Sequence, residues 1–313
     1  MDWGTLSGHR PDSFNPQEVL PLKIIDAHVH YGHWDRLTTR GAEDGFLEEM
    51  AEVCEQVGIV KIGLLANPGR GNDALARALE QRPDLVIAMG RLDLDRDPVS
   101  TVEDFYQRGF HGIKVIGVSK NYDDEAYYPF YEQAQARGLR ILFHTGILGG
   151  PVDYLMGAKE DAWKAPPEGE AEEKLVQELG RQIRTRPYGF SSARMQPIYL
   201  DTIAFYFPEL FMIGAHLGWP DYRTACAIAR WRPRLYFDVS GGDVVHHHIV
   251  EGGYIGREIS PRKLVYGSDS DLNRIAGDVK RWRDAFDAMG LSADDQEQIF
   301  YRNAAHIFGI GGA

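Results

Sequence analysis

The chain has 313 residues, 43% hydrophobic and 26% charged, and its 34 basic against 46 acidic residues give a net charge of −12. That composition supports a large core and argues against disorder, and the acidic balance argues against nucleic acid or an anionic membrane as the main partner. It leaves room for a small anionic substrate, because a metal or a few local cations reverse the local field.

Residues 1–22 read as a polar, irregular arm without the apolar stretch of a secretory signal. From residue 23 to 313 one domain is expected, in which short apolar runs alternate with amphipathic stretches. The runs are KIIDAHVH (23–30), GIVKIGLLA (58–66), LVIAMGRL (85–92), GIKVIGVS (112–119), RILFHTG (140–146), LFMIGAHLG (210–218), LYFDVS (235–240) and KLVYGSDS (263–270). Between them, FLEEMAEVCEQV places Phe46, Leu47, Met50, Val53, Cys54 and Val57 on one stripe. NDALARALEQ, YYPFYEQAQAR, PIYLDTIAFYF, YRTACAIARW and AGDVKRWRDAFDAM continue the alternation. SADDQEQIFYRNAAHIF closes it, with Ser292 and Asp295 forming a capping-box-like start. Eight strands alternating with helices predict a parallel sheet closed as a (β/α)₈ TIM barrel. No glycine-rich dinucleotide motif supports an open doubly wound sheet. No run of about 18 apolar residues predicts a membrane span, and Cys54 and Cys226 sit in helix-like runs as core residues. A cytoplasmic enzyme is expected. One connection is long: residues 147–195, leaving the C-terminal end of the fifth strand, read as a lid or substrate-binding insertion.

The chemistry gathers at strand ends. In Asp26-Ala27-His28-Val29-His30 the even-numbered residues share a face, and two histidines two apart can grip one metal. His144, His216 and Asp269 close three further strands. One such residue would carry little weight, but four strand ends with metal-competent groups make coincidence a poor explanation.

The ordered set IDAHVH (25–30), GFHGIKV (109–115), LFHTG (142–146), FPELFMIGAHLG (207–218), YFDVS (236–240), YGSD (266–269) and RNAAHIFG (302–309) resembles the amidohydrolase superfamily. Within it, the closest likeness is to the amidohydrolase family 2 branch, which includes amidohydrolase-related hydrolases and aminocarboxymuconate-semialdehyde and γ-resorcylate decarboxylases. The resemblance runs from about Lys23 to the end of the chain. It implies one divalent metal, zinc with manganese as the alternative, held by His28, His30, His144 and Asp269. His216 would stand beside it as acid/base, and Asp269 would carry a proton. A divalent metal makes water acidic enough to attack at neutral pH, so the main reading is a hydrolase of a small, carboxylate-bearing organic substrate. The alternative is a nonoxidative decarboxylase of an aromatic or unsaturated acid. A third reading, a non-catalytic metal-binding barrel, requires a lost ligand, and every expected position is filled.

Lys114 stands where two-metal relatives carry a carboxylated lysine; the one-metal pattern implies an unmodified amine. Asp26, deeper than His28, is expected to support it. The run His246-His247-His248 falls on a helix and cannot present one face; His33 sits near the mouth, and His9, His111 and His306 lack context. Arg194 and Trp219 are the candidate substrate groups, one for a carboxylate and one as a wall, with Lys114 beside them. Exposed aromatics such as those of PYGF are compatible with a homodimer.

Overall fold

The computed structural model describes residues 22–31, 46–67, 71–148 and 191–311. Nearly all of the expected arm and most of the 147–195 insertion, with PYGF, His9 and His33, lie outside the described residues.

Eight parallel strands run in the order of the chain: β1 (Ile24–His30), β2 (Ile59–Leu65), β3 (Val86–Leu92), β4 (Gly112–Val115), β5 (Arg140–Phe143), β6 (Met212–Gly214), β7 (Leu235–Asp238) and β8 (Leu264–Val265). The barrel closes where Ala27 N donates to Tyr266 O at 3.0 Å and Asp269 N donates to His28 O at 2.7 Å. Strands this rich in Ile, Val and Leu are buried on both faces, as a parallel sheet covered by helices requires. The covering helices are α1 (Phe46–Val57), α2 (Gly71–Gln81), α3 (Ser100–Gln107), α4 (Tyr128–Arg137), α5 (Tyr199–Tyr206), α6 (Tyr222–Trp231), α7 (Gly242–Gly252) and α8 (Ile275–Ala288). On α1 the stripe buries Leu47, Met50 and Cys54 fully, while Phe46, Val53 and Val57 are half-buried at its edges. The chain ends in α9 (Ala293–Glu297), a π-helical turn and α10 (Asn303–Phe308), and Ser292 Oγ accepts from Asp295 N at 3.2 Å as its capping pattern predicts.

Inside the barrel, Ile307 and Phe308 of α10 pack in one cluster with Ile25, Ile87, Leu142 and Val265. This plugs the N-terminal end. Each such buried side chain contributes about 1.5–3 kcal/mol relative to exposure, so the lower barrel is a packed apolar floor and the open end is the C-terminal one.

The later strands stop earlier than their apolar runs. Gly117, Gly146, His216, Gly241 and Asp269 all have positive φ, and a left-handed residue turns the chain out of the ladder. His144, His216 and Asp269 therefore stand just beyond β5, β6 and β8, on the rim rather than in the sheet. Helix α3 was not expected from the sequence, and α7 is the helix on which the triple histidine was expected to fall.

His111 links the floor to β3. Its Nδ1 accepts from Ala88 N at 3.1 Å, which requires the neutral ring, and burial lowers its pKa to about 4, helped by the charges of Lys61 and Arg140. A base with a depressed folded pKa contributes stability above its unfolded value of about 6.5, and that stability is lost as pH falls toward 4. His111→Asn should therefore lose less stability than the parent between pH 6.5 and 4, by on the order of 2 kcal/mol after allowance for partial exposure. Parallel urea titrations measure it; equal pH slopes would remove His111 from the account.

Candidate metal centre

The end of β1 supplies two imidazoles. His28 Nδ1 lies 2.8 Å from Asp238 Oδ2, and His30 Nδ1 lies 2.9 Å from Asn67 Oδ1. Both partners are acceptors, so each Nδ1 carries the proton and each Nε2 keeps its lone pair. The Nε2 atoms stand 3.7 and 3.6 Å from Asp269 Oδ1. His28, His30 and Asp269 thus present three donor atoms within 4.8 Å of one another. His28 Nε2 is buried without a hydrogen-bond partner among the described residues. Burial, more than any neighbouring charge, holds both rings neutral by pushing their pKa values well below 6.5. Two neutral nitrogens with fixed tautomers and a carboxylate fit a divalent metal.

Asp238 ties this group to His216. Its Oδ1 accepts from His216 N at 2.8 Å and from Ser240 N at 3.0 Å, and Ser240 Oγ donates to it at 2.6 Å. Ser240 Oγ also lies 2.9 Å from His216 Nδ1 and 3.2 Å from His28 Nδ1. His216, only 6% exposed, has its pKa lowered to about 4, chiefly by burial against the opposing charge of Asp238. His216 and Asp269 have φ values of 59° and 49°. A non-glycine residue held there costs on the order of 1 kcal/mol or more, a strain concentrated at functional positions. Two glycines make the room. A Cβ on Gly267 would lie 2.8 Å from His28 Cβ, and one on Gly146 would lie 1.5 Å from Trp219 O.

His144 behaves differently from the expectation. Its Nε2 lies 3.2 Å from Ile147 O and its Nδ1 3.3 Å from His216 Nε2. With both ring nitrogens engaged, it is not gathered into the group formed by His28, His30 and Asp269. It touches that group through His216, whose ring centroid is 4.9 Å from that of His144 and 5.4 Å from that of His28.

Asp26 supports rather than ligates: its Oδ1 accepts from His28 N at 3.2 Å and Ser268 N at 2.9 Å. Lys114 points into the barrel, wholly buried, and its Nζ has no hydrogen-bond partner among the described residues. Burial lowers its pKa to about 8, while Asp269 and Asp238 act to raise it. Asp269, 27% exposed at the mouth, is raised to about 7 by the protein crowding it, with Lys114 opposing. Arg194 falls in a 3-10 turn (Ser192–Met195) whose backbone meets Tyr122, and Trp219 follows the His216 turn, half-buried against the core. The triple histidine divides as its helical spacing predicts: His246 packs on Trp282 at 4.5 Å, and His248 Nδ1 lies 3.4 Å from Tyr222 Oη. Sequence reasoning passed over Asn67, Arg91, Asp238 and Ser240. Asp238 and Ser240 alternate inward after Tyr236, as Arg91 does after Ile87 and Met89, and that period was the available signal.

The family model described as Amidohydrolase matches residues 25–310. A search among curated proteins finds no match. Among solved structures, a TIM-barrel protein from Bordetella bronchiseptica is 16% identical, covering 92% of this chain and 99% of its own, with a TM-score of 0.61. A dihydroxybenzoic acid decarboxylase from a Polaromonas species, with bound manganese and 2-nitroresorcinol, is 16% identical over 93% and 98% of the two chains, TM-score 0.58. A 5-carboxyvanillate decarboxylase from Sphingomonas paucimobilis is 16% identical over 92% and 99%, TM-score 0.57. At these identities the likeness is one of fold.

Proposed function

The chain belongs to the amidohydrolase family, and from that premise we propose that it is a metal-dependent decarboxylase of an aromatic or unsaturated carboxylic acid. The observation that carries the reading is a metal-competent group set beside a nearly buried histidine above an apolar floor. Loss of CO₂ turns a charged carboxylate into a neutral molecule, which a dry site favours over water. The decarboxylase names of several similar folds support the choice over a hydrolase, the family's other activity and the main expectation from sequence.

His28, His30 and Asp269 would hold the metal, with His144 as a fourth ligand once its contact to Ile147 O is given up. A bound divalent cation supplies Lewis acidity, drawing electron density from a substrate oxygen. His216 orients the substrate through a hydrogen bond at Nε2, and Ser240 and Asp238 fix its ring. The bond from the ring carbon to the carboxylate breaks, CO₂ leaves, and the electron pair left on carbon takes a proton that Asp269 carries. Arg194 and Trp219 border the substrate.

A panel of hydroxybenzoates, 2,6-dihydroxybenzoate among them, offered to zinc- and manganese-loaded protein tests this. CO₂ with the matching phenol is the expected product for at least one acid. Hydrolysis of a lactone or ester panel with no CO₂ from any acid would return the site to the hydrolase reading.

A further inference from the structure

Two cations sit side by side in the barrel wall. In the β3–β4 register Arg91 is directly paired with Lys114, and Lys114 in turn with Leu142. Leu142 lies in the interior cluster, as do Ile87 and Met89, the residues two and four before Arg91 on its strand. Both charged side chains therefore leave the strands on the inward face, above the floor and below the rim.

Among the described residues neither head group closes an ion pair, although Asp93 and Asp97 act on Arg91, and Asp238 and Asp269 on Lys114, at longer range. The backbone of Arg91 is locked to α2: its N donates to Asn72 Oδ1 at 2.7 Å, while Asn72 Nδ2 donates to Arg91 O at 3.0 Å. Its Nη2 donates to Ile116 O at 3.1 Å, a neutral acceptor. Lys114 Nζ has no hydrogen-bond partner at all among the described residues. A wholly buried ammonium without a partner is costly, and a fold retains one where a ligand completes it.

We propose that Arg91 and Lys114 form an anion seat for a second acidic group of the substrate, one retained through the reaction, so that the ligand is a dianion. The inference rests on the decarboxylase reading and sharpens its substrate class. Chemistry decides which group the seat holds. The leaving carboxylate loses its charge as CO₂ forms, so two cations gripping it would stabilise the ground state more than the transition state and slow the reaction. A carboxylate or phenolate that stays behind keeps its charge and anchors the ring while the other group reacts. The guanidinium offers a planar fork to such a group and the ammonium a point charge.

Binding of benzene-1,3-dicarboxylate and of benzoate to metal-loaded protein, measured by calorimetry, tests the seat without turnover. The parent protein should prefer the dicarboxylate at least tenfold, with a preference that shrinks at high salt. Arg91→Met and Lys114→Met should each erase the preference with metal content unchanged, and Arg91→Lys should restore most of it. A parent protein that binds the two ligands equally, or a preference that survives Arg91→Met, overturns the seat. If Lys114→Met does not fold, Arg91→Met and Arg91→Lys decide. Protein that binds the diacid as expected but releases CO₂ from no acid overturns the decarboxylase reading alone. Protein that decarboxylates monoacids without a diacid preference overturns the seat alone.

Discussion

His216→Asn is expected to keep the metal and to lose turnover by about a hundredfold or more, the usual scale for removing a positioned acid, base or hydrogen-bond donor. The side chain is nearly buried, its backbone is held in the left-handed region, and its Nδ1 is fixed by Ser240. Its own nitrogens do not converge with those of His28 and His30 in the three-residue group. Asparagine keeps a donor and an acceptor but not the reach of the imidazole, and it tolerates positive φ better than most residues, so the fold should survive. His144→Ala is the comparison. If His144 swings from Ile147 O to become a ligand, its loss should weaken metal binding directly, and excess metal should restore part of the activity. Metal content by elemental analysis, paired with turnover at saturating metal, separates the two. Should His216→Asn shed the metal as readily as His144→Ala, His216 is itself a ligand.

Much of this site was legible in the sequence, because period and position carry physical meaning. The apolar runs identified all eight strands, and the pleat of β1 put His28 and His30 on one side. The ends of the later strands were not legible. Residues such as His216 and Asp269 continue an apolar run in composition, yet their positive φ takes them out of the ladder, and no local pattern announces a left-handed histidine. The partners of the two β1 imidazoles were hidden for another reason. Asp238 is 210 residues from His28 and Asn67 is 37 from His30; barrel closure, not sequence spacing, brings each pair together. His144 shows the limit of reading a ligand from its place on a strand. It stands just beyond the end of β5, but the two contacts that occupy its nitrogens depend on the turn at Gly146 and on the neighbouring strand.

Stripping the metal should reduce turnover to background, and about one zinc or manganese per chain should restore it. Asp269 is the only carboxylate in the three-donor group, so Asp269→Asn exchanges an anionic ligand for a neutral amide and removes the proposed proton carrier in the same step. Metal affinity and turnover should both collapse, with turnover not recovered by excess metal. Asp238→Asn touches no metal directly. It replaces the acceptor for His28 Nδ1 with an amide that can turn its NH₂ toward the ring, unsettling the tautomer that leaves Nε2 free. Its metal affinity should fall about 10–100-fold, and excess metal should recover part of the turnover. Metal binding to the folded state alone stabilises it by about 2.7 kcal/mol at a hundredfold excess over Kd. The melting temperature of the parent should therefore rise with added metal, that of Asp238→Asn should rise only at higher concentration, and that of Asp269→Asn should stay nearly flat. Elemental analysis, metal-competition titration and thermal melts supply three readouts independent of substrate. Two metals per chain would point to a carboxylated Lys114 bridging them. Full metal affinity in Asp269→Asn would move the centre away from the mouth of β1 and β8.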